Sequence, residues 1–137
     1  MIKIMHCNVT AIKKYKDEIY ARFNKFNILS INETNLKLQH LFTFSGYNIF
    51  RNDRMDRQGG GVLLAVRDNI KCYEKFNKSI ENNEAIAVQI ETPIGHLLVA
   101  SIYIPPNVKL QHELFEQIYN LHNNCLILIH AIQKNKC

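Results

Sequence analysis

The sequence has no tryptophan, only three prolines and five glycines, and fewer acidic than basic residues. So little proline and glycine excludes a collagen-like or linker-like chain. No stretch approaches the ~18–20 consecutive apolar residues that a membrane-spanning helix needs, and the longest apolar run lies near Leu126–Ile129. The segment Met1–His6 carries neither an apolar signal core nor a small-residue cleavage site. The expectation is an intracellular chain that is not secreted and has no membrane partner. Four cysteines, Cys7, Cys72, Cys125 and Cys137, are spaced too widely for a metal knuckle or a CxxC redox pair, so reduced thiols are expected.

What is present points to a folded domain. The 137 residues are 47% hydrophobic with a net charge of +5, which suits one domain with a real core. That charge tolerates a polyanionic partner without demanding one. Apolar, β-rich segments at Ile2–Val9, Asn27–Asn32, Tyr47–Arg51 and Val62–Arg67 read as strands. So do Glu84–Glu91, His96–Ile104 and Cys125–Ile129. In Glu84–Glu91 the alternation has period two, with Ile86, Val88 and Ile90 on one face and Ala85 and Ala87 on the other. Lys14–Phe26 and Leu110–Leu121 place apolar residues at helical spacing between charges. Leu36–Phe42 reads as a short helix or loop. Strands with interspersed helices give a layered α/β domain, and six of these strands, Tyr47–Arg51 apart, are expected in one central sheet.

Three polar residues close strands: Asn8, Glu33 and Tyr103. Sheet ends are where sites are assembled, and an acid, an amide and a phenol suit a Mg²⁺ site acting on phosphate. As turn or capping residues, Asn8 and Glu33 are equally well accounted for. Gly59–Gly60–Gly61 lies between two strands and lacks the phosphate-loop pattern, so it reads as a turn that needs positive φ. Arg51, Arg54, Arg57 and Arg67 form the densest basic patch. It suits DNA phosphates, with Arg54 and Arg57 as contacts, or equally a solvated hairpin face. Phe42, Phe44, Tyr47 and Phe50 are read as core packing.

Five segments, in order, carry a resemblance. They are Ile4–Asn8; Ile28–Thr34 with its Asn–Glu–Thr; Gly46–Arg54; Arg57–Val62; and Ser101–Pro106. With them, Lys3–Ile129 resembles the endonuclease domain of non-LTR retrotransposons, within the apurinic/apyrimidinic-endonuclease-like endonuclease/exonuclease/phosphatase superfamily. The resemblance implies Glu33 as a metal ligand, Asn8 as support for the metal and phosphate, and Tyr103 as a contact to the scissile phosphate. It also implies Mg²⁺ as cofactor, DNA as partner, hydrolytic nicking that primes reverse transcription, and a nucleus as a plausible location.

The chain departs from that pattern after Ile129. The family runs into Gly–Asp–Phe–Asn, whereas here His130–Ala131–Ile132–Gln133 follows. Ungapped, Ala131 replaces the Asp and Gln133 the Asn; with a short deletion His130 takes the Asn position. Both registers stand open. In either, no acidic residue follows Glu116, so the family's catalytic Asp has no counterpart. The expectation is a single truncated domain over 1–137: a layered α/β sandwich of the endonuclease/exonuclease/phosphatase type, incomplete, supplying mainly the first sheet and flanking helices. Catalytic death, weak or no Mg²⁺ binding and self-association through an uncovered sheet face follow from that expectation. The alternative is a non-catalytic nucleic-acid-binding relic, or a truncated gene model without function.

Overall fold

A computed structural model describes residues 2–131. The first four strands are β1 (Ile4–Asn8), β2 (Ile28–Asn32), β3 (Tyr47–Asn52) and β4 (Val62–Arg67), with helix α1 (Ile12–Phe23) between β1 and β2. The chain continues through β5 (Cys72–Ile80), β6 (Asn83–Thr92), β7 (Gly95–Ile104), α2 (His112–Tyr119) and β8 (Cys125–Ala131). The segment after β2, expected as a short helix or loop, has no regular helix.

The strands do not share one sheet, as the sequence had suggested. They form two four-stranded sheets, ordered β1-β2-β4-β3 and β5-β6-β7-β8. Each is antiparallel except for one parallel edge pair, β1 with β2 and β7 with β8. The period-two alternation explains why both sheets bury two faces. Ile28, Val62, Leu64 and Val66 of the first sheet meet Ile86, Val88, Ile90, Val99 and Tyr103 of the second in a shared inner core. The opposite residues of the same strands, among them Met5, Leu29, Ile31, Leu63 and Ala65, pack under Ile12 and Ile19 of α1. Phe42, Phe44 and Tyr47 join that outer layer, while Phe50 faces the inner one. Ala85, Ala87, Leu98, Ala100 and Ile102 pack under Leu114 and Ile118 of α2. The result is four layers, α/β/β/α, in which, among the described residues, each sheet packs on both faces instead of leaving one face bare as expected from the sequence. The second sheet that the sequence seemed to lack is built from β5 to β8.

β5 escaped the sequence reading for a physical reason. Only Phe76 of its nine residues is buried, and its ladder to β6 is interrupted by a bulge between Glu74 and Phe76. An edge strand that buries one side chain carries no apolar alternation to read. The three described cysteines, Cys7, Cys72 and Cys125, are free thiols, and burial raises the pKa of each above its ordinary value.

Candidate functional site

β1 and β2 run parallel, so their C-terminal ends emerge side by side, with Asn8 paired in register to Asn32. The first connection is pinned there: Val9 N–H donates to Asn32 C=O at 3.1 Å and Ile12 N–H to Thr34 C=O at 3.0 Å. Directly after β2, Glu33 and Asn35 both adopt φ of +55°, a left-handed conformation that turns the chain sharply. The glycine loop holds that turn. Asn35 N–H donates to Gly60 C=O at 2.8 Å, and Gly59 N–H donates to Asn35 Oδ1 at 3.0 Å. A Cβ on Gly61 would collide with Thr34 Oγ1, so glycine permits this close approach as well as its φ of +95°.

Tyr103 reaches the turn from the far end of β7. Its hydroxyl donates to Glu33 Oε1 at 2.6 Å, and the side chain is 2% exposed. Burial raises the phenol's pKa well above a tyrosine's ordinary value, and the hydrogen bond to Glu33 and that carboxylate's charge add to the rise. The phenol is therefore a neutral O–H donor across the physiological range. His130 pairs with Tyr103 on β8 and stacks on its ring, centroids 6.0 Å apart.

Glu84, opposite Tyr103 on β6, supports the other flank. Its carboxylate accepts Arg54 Nε–H at 2.9 Å and Gly61 N–H at 2.8 Å. The ion pair is nearly dry, with side chains 12% and 4% exposed. Arg54, assigned from sequence to DNA contact, thus spends its guanidinium on Glu84 and on Gln58 C=O. Arg57 lies exposed in the same loop. Arg51 is also engaged within the chain, donating to Asp53, His40 C=O and Lys37 C=O, and Arg67 lies over the Tyr47 ring at 4.5 Å.

Under the site a buried polar chain crosses between the sheets. Asn32 Nδ2 donates to Ile102 C=O at 2.9 Å, Ser101 Oγ donates to Asn32 Oδ1 at 2.8 Å and Ser30 Oγ donates to Ser101 Oγ at 2.7 Å. His6 Nδ1 lies 2.7 Å from Ser30 Oγ. A hydroxyl has one proton, and that of Ser30 is committed to Ser101, so His6 must donate through Nδ1–H. Its Nε2 then carries a lone pair, and among the described residues that buried atom has no partner; neither has the buried Nδ2 of Asn8, on the same face of β1. Burial, then the neighbouring charge of His130, lowers the His6 pKa.

The structure therefore brings Glu33 and Tyr103 into contact, with Asn8 on the adjacent strand end, and separates Arg54 from solvent. Ala131 ends β8, and Gln133 lies outside the described residues. Sequence reasoning missed Glu84, Ser30 and Ser101. Their signal was present as isolated polar residues in otherwise apolar strands, each of which demands a buried partner.

No family model matches the chain, and no curated protein matches it. Solved structures do. The endonuclease domain of TRAS1, a telomere-specific non-LTR retrotransposon, is similar at 21% identity and a TM-score of 0.66, over 92% of this chain and 58% of that one. The human Nocturnin catalytic domain with bound sulfate is similar at 16% and 0.64, over 93% and 62%. D. rerio TDP2 complexed with a single-strand DNA product is similar at 8% and 0.53, over 93% and 58%.

The fold is the two-sheet α/β sandwich of these solved domains.

The chain spans about three fifths of the length of each of these structures. What it shares with them is the two-sheet sandwich, at whose strand ends Glu33 and Tyr103 meet.

Proposed function

We propose that this chain carries one half of a phosphodiester-hydrolysing site of the DNA-nicking kind, competent to engage a DNA phosphate and unable to nick by itself. The observation that carries the reading is the 2.6 Å hydrogen bond from Tyr103 to Glu33 at adjoining strand ends. No group of three or more His, Cys, Asp or Glu side chains suited to a metal occurs among the described residues.

The donor set suits a loosely held Mg²⁺. That ion binds through one or two carboxylates and keeps several waters, and Glu33 offers the oxygen that Tyr103 leaves free. When bound, Mg²⁺ supplies charge neutralisation at the phosphodiester. The rest is done by the chain's own groups. Tyr103, a neutral O–H donor, can pass its hydrogen bond from Glu33 to a phosphate oxygen. Asn8 Nδ2 is already stripped of water and unpartnered, so donating to a phosphate oxygen costs it no further desolvation. What is missing is a group to take the proton of the attacking water. General acid–base help contributes ~10²–10⁴ in rate, and the Asp expected after Ile129 has no counterpart in the sequence.

The test is nicking of supercoiled plasmid by the purified chain with Mg²⁺, with and without chelator, beside Glu33→Ala. The expected result is no chelator-sensitive nicking, together with salt-sensitive binding of a short duplex that weakens in Tyr103→Phe. Chelator-sensitive nicking that vanishes in Glu33→Ala would overturn the inactive reading. Absence of binding even at low salt would overturn the phosphate-engaging one.

A further inference from the structure

The inner face of the sandwich changes character along its length. Alternate residues of a strand share a face. The inner rows are therefore Ile4, His6 and Asn8 on β1, Ile28, Ser30 and Asn32 on β2, and Val99, Ser101 and Tyr103 on β7. Each row starts apolar and turns polar as it nears the Glu33–Tyr103 pair. Ser30, Asn32 and Ser101 are each 0% exposed. Apolar side chains of similar shape would fill such positions at little or no cost in stability, so three buried polar groups here call for a reason other than stability.

Asn32 occupies the junction. Its main chain leads directly into Glu33. Its C=O accepts Val9 N–H at 3.1 Å, one residue past Asn8. Its Nδ2 donates at 2.9 Å to Ile102 C=O, in the peptide that joins Ile102 to Tyr103. One residue thus touches the chain beside each of Asn8, Glu33 and Tyr103. β2 and β7 belong to different sheets, and the apolar contact between the sheets is non-directional. Packing of that kind secures a fold before it secures a unique placement. The 2.6 Å bond from Tyr103 to Glu33 needs placement to a few tenths of an ångström. Asn32 Nδ2 supplies a directional link across the sandwich, one residue behind that bond.

The Asn32 amide works only one way round, because Ile102 C=O can accept and cannot donate. Nδ2 must face Ile102, and Oδ1 then faces Ser101. A serine hydroxyl can donate or accept and does not by itself choose between the two orientations. The rest of the chain chooses. Asn32 Oδ1 takes the proton of Ser101, Ser101 takes that of Ser30, and Ser30 takes Nδ1–H of His6. With a carbonyl at one end and an N–H at the other, every hydroxyl proton is committed in the same direction. On the proposed reading of Glu33 and Tyr103 as the phosphate-engaging pair, we infer that Asn32 is the positioning residue of the site. Ser101, Ser30 and His6 Nδ1–H lock its amide in the one orientation that holds Tyr103 against Glu33.

The test separates the Ser101 hydroxyl from its bulk. Ser101→Thr and Ser101→Val add nearly the same volume, and only the first keeps a donor. In the DNA-free chain, the Cζ chemical shift of Tyr103, assigned by its loss in Tyr103→Phe, reports the hydrogen bond of the phenol. Glu33→Ala gives its value without that bond. The expected result is the wild-type shift in Ser101→Thr and the Glu33→Ala shift in Ser101→Val, with circular dichroism unchanged in both. Duplex binding should weaken roughly 10-fold in Ser101→Val, the loss of one charge-assisted hydrogen bond, and hold in Ser101→Thr. The wild-type shift in Ser101→Val, or the Glu33→Ala shift in both variants, would overturn the inference. The ring nitrogen shifts of wild-type His6 at neutral pH decide independently, whether or not Ser101→Val folds: Nδ1–H supports the chain and Nε2–H overturns it. A wild-type chain that binds no duplex yet shows the Thr–Val difference would sink the phosphate reading and leave the placement of Tyr103 by Asn32 standing. Duplex binding without that difference would do the reverse.

Discussion

The two flanks of the Tyr103–Glu33 pair are built on opposite principles. Towards β4 and β6, polar groups are matched: the Glu84 carboxylate takes Arg54 and Gly61, and the turn after β2 is tied to the glycine loop. Towards β1, the ladder ends, and His6 Nε2 and Asn8 Nδ2 are buried without partners. The first flank is complete within this chain. The second holds desolvated groups that have no partner among the described residues. A buried network is worth most when every member is satisfied, and one missing partner turns the same burial into a cost. The difference therefore separates the part of the site that supports the fold from the part to which the proposed function assigns the phosphate.

The comparison breaks first at Glu84. Glu84→Ala strands the Arg54 guanidinium and the Gly61 N–H in a nearly dry pocket, and removing one partner of such a pair costs about 3–5 kcal/mol. Urea denaturation should show that loss, and the double variant with Arg54→Met should recover much of it. If Glu84→Ala costs less than about 1 kcal/mol, the range for exposed pairs, the flank is not the closed support described here.

A smaller effect should appear with pH on the other flank. Burial and the charge of His130 hold the His6 pKa below its ordinary 6.5. Below that value the unfolded chain takes up the proton more readily than the folded one, so stability falls as pH falls. The His6 contribution is fully present above pH 6.5 and is lost as pH drops through the depressed folded-state pKa. Thermal melts from neutral to mildly acidic pH should record this slope, and His6→Gln should flatten it. An unchanged slope in His6→Gln would assign the pH dependence to other groups.

The smallest effect is the most discriminating, because its sign is unusual. Asn8→Leu removes a buried donor that has no partner, so it should leave stability unchanged or raise it by up to about 1 kcal/mol, while weakening binding to duplex DNA. Asn8 then trades stability for a polar group at the strand end. A thermal denaturation midpoint that falls clearly in Asn8→Leu would mean that Nδ2 is satisfied within the chain.

Much of this molecule was determined locally. The period-two pattern of Glu84–Glu91 set which residues face which layer, because successive strand side chains point to opposite faces. Ile86, Val88 and Ile90 accordingly line the inner core, and Ala85 and Ala87 lie under α2. The helical spacing of Ile19 and Phe23 and the polar strand ends at Asn8, Glu33 and Tyr103 were legible for the same reason, since each is a property of a few consecutive residues. Only the tertiary structure decided which strands share a sheet, because alternation specifies a face and is silent about the partner. It alone turned one expected sheet into two, and recruited β5, whose single buried Phe76 leaves almost no pattern. It alone took Arg54 out of an exposed basic patch and gave it to Glu84, 30 residues away, and linked Ser30 to Ser101 across 71. Such pairings depend on where distant segments are brought by packing of the apolar faces, so the residue types announce a need for a partner and the fold chooses which one.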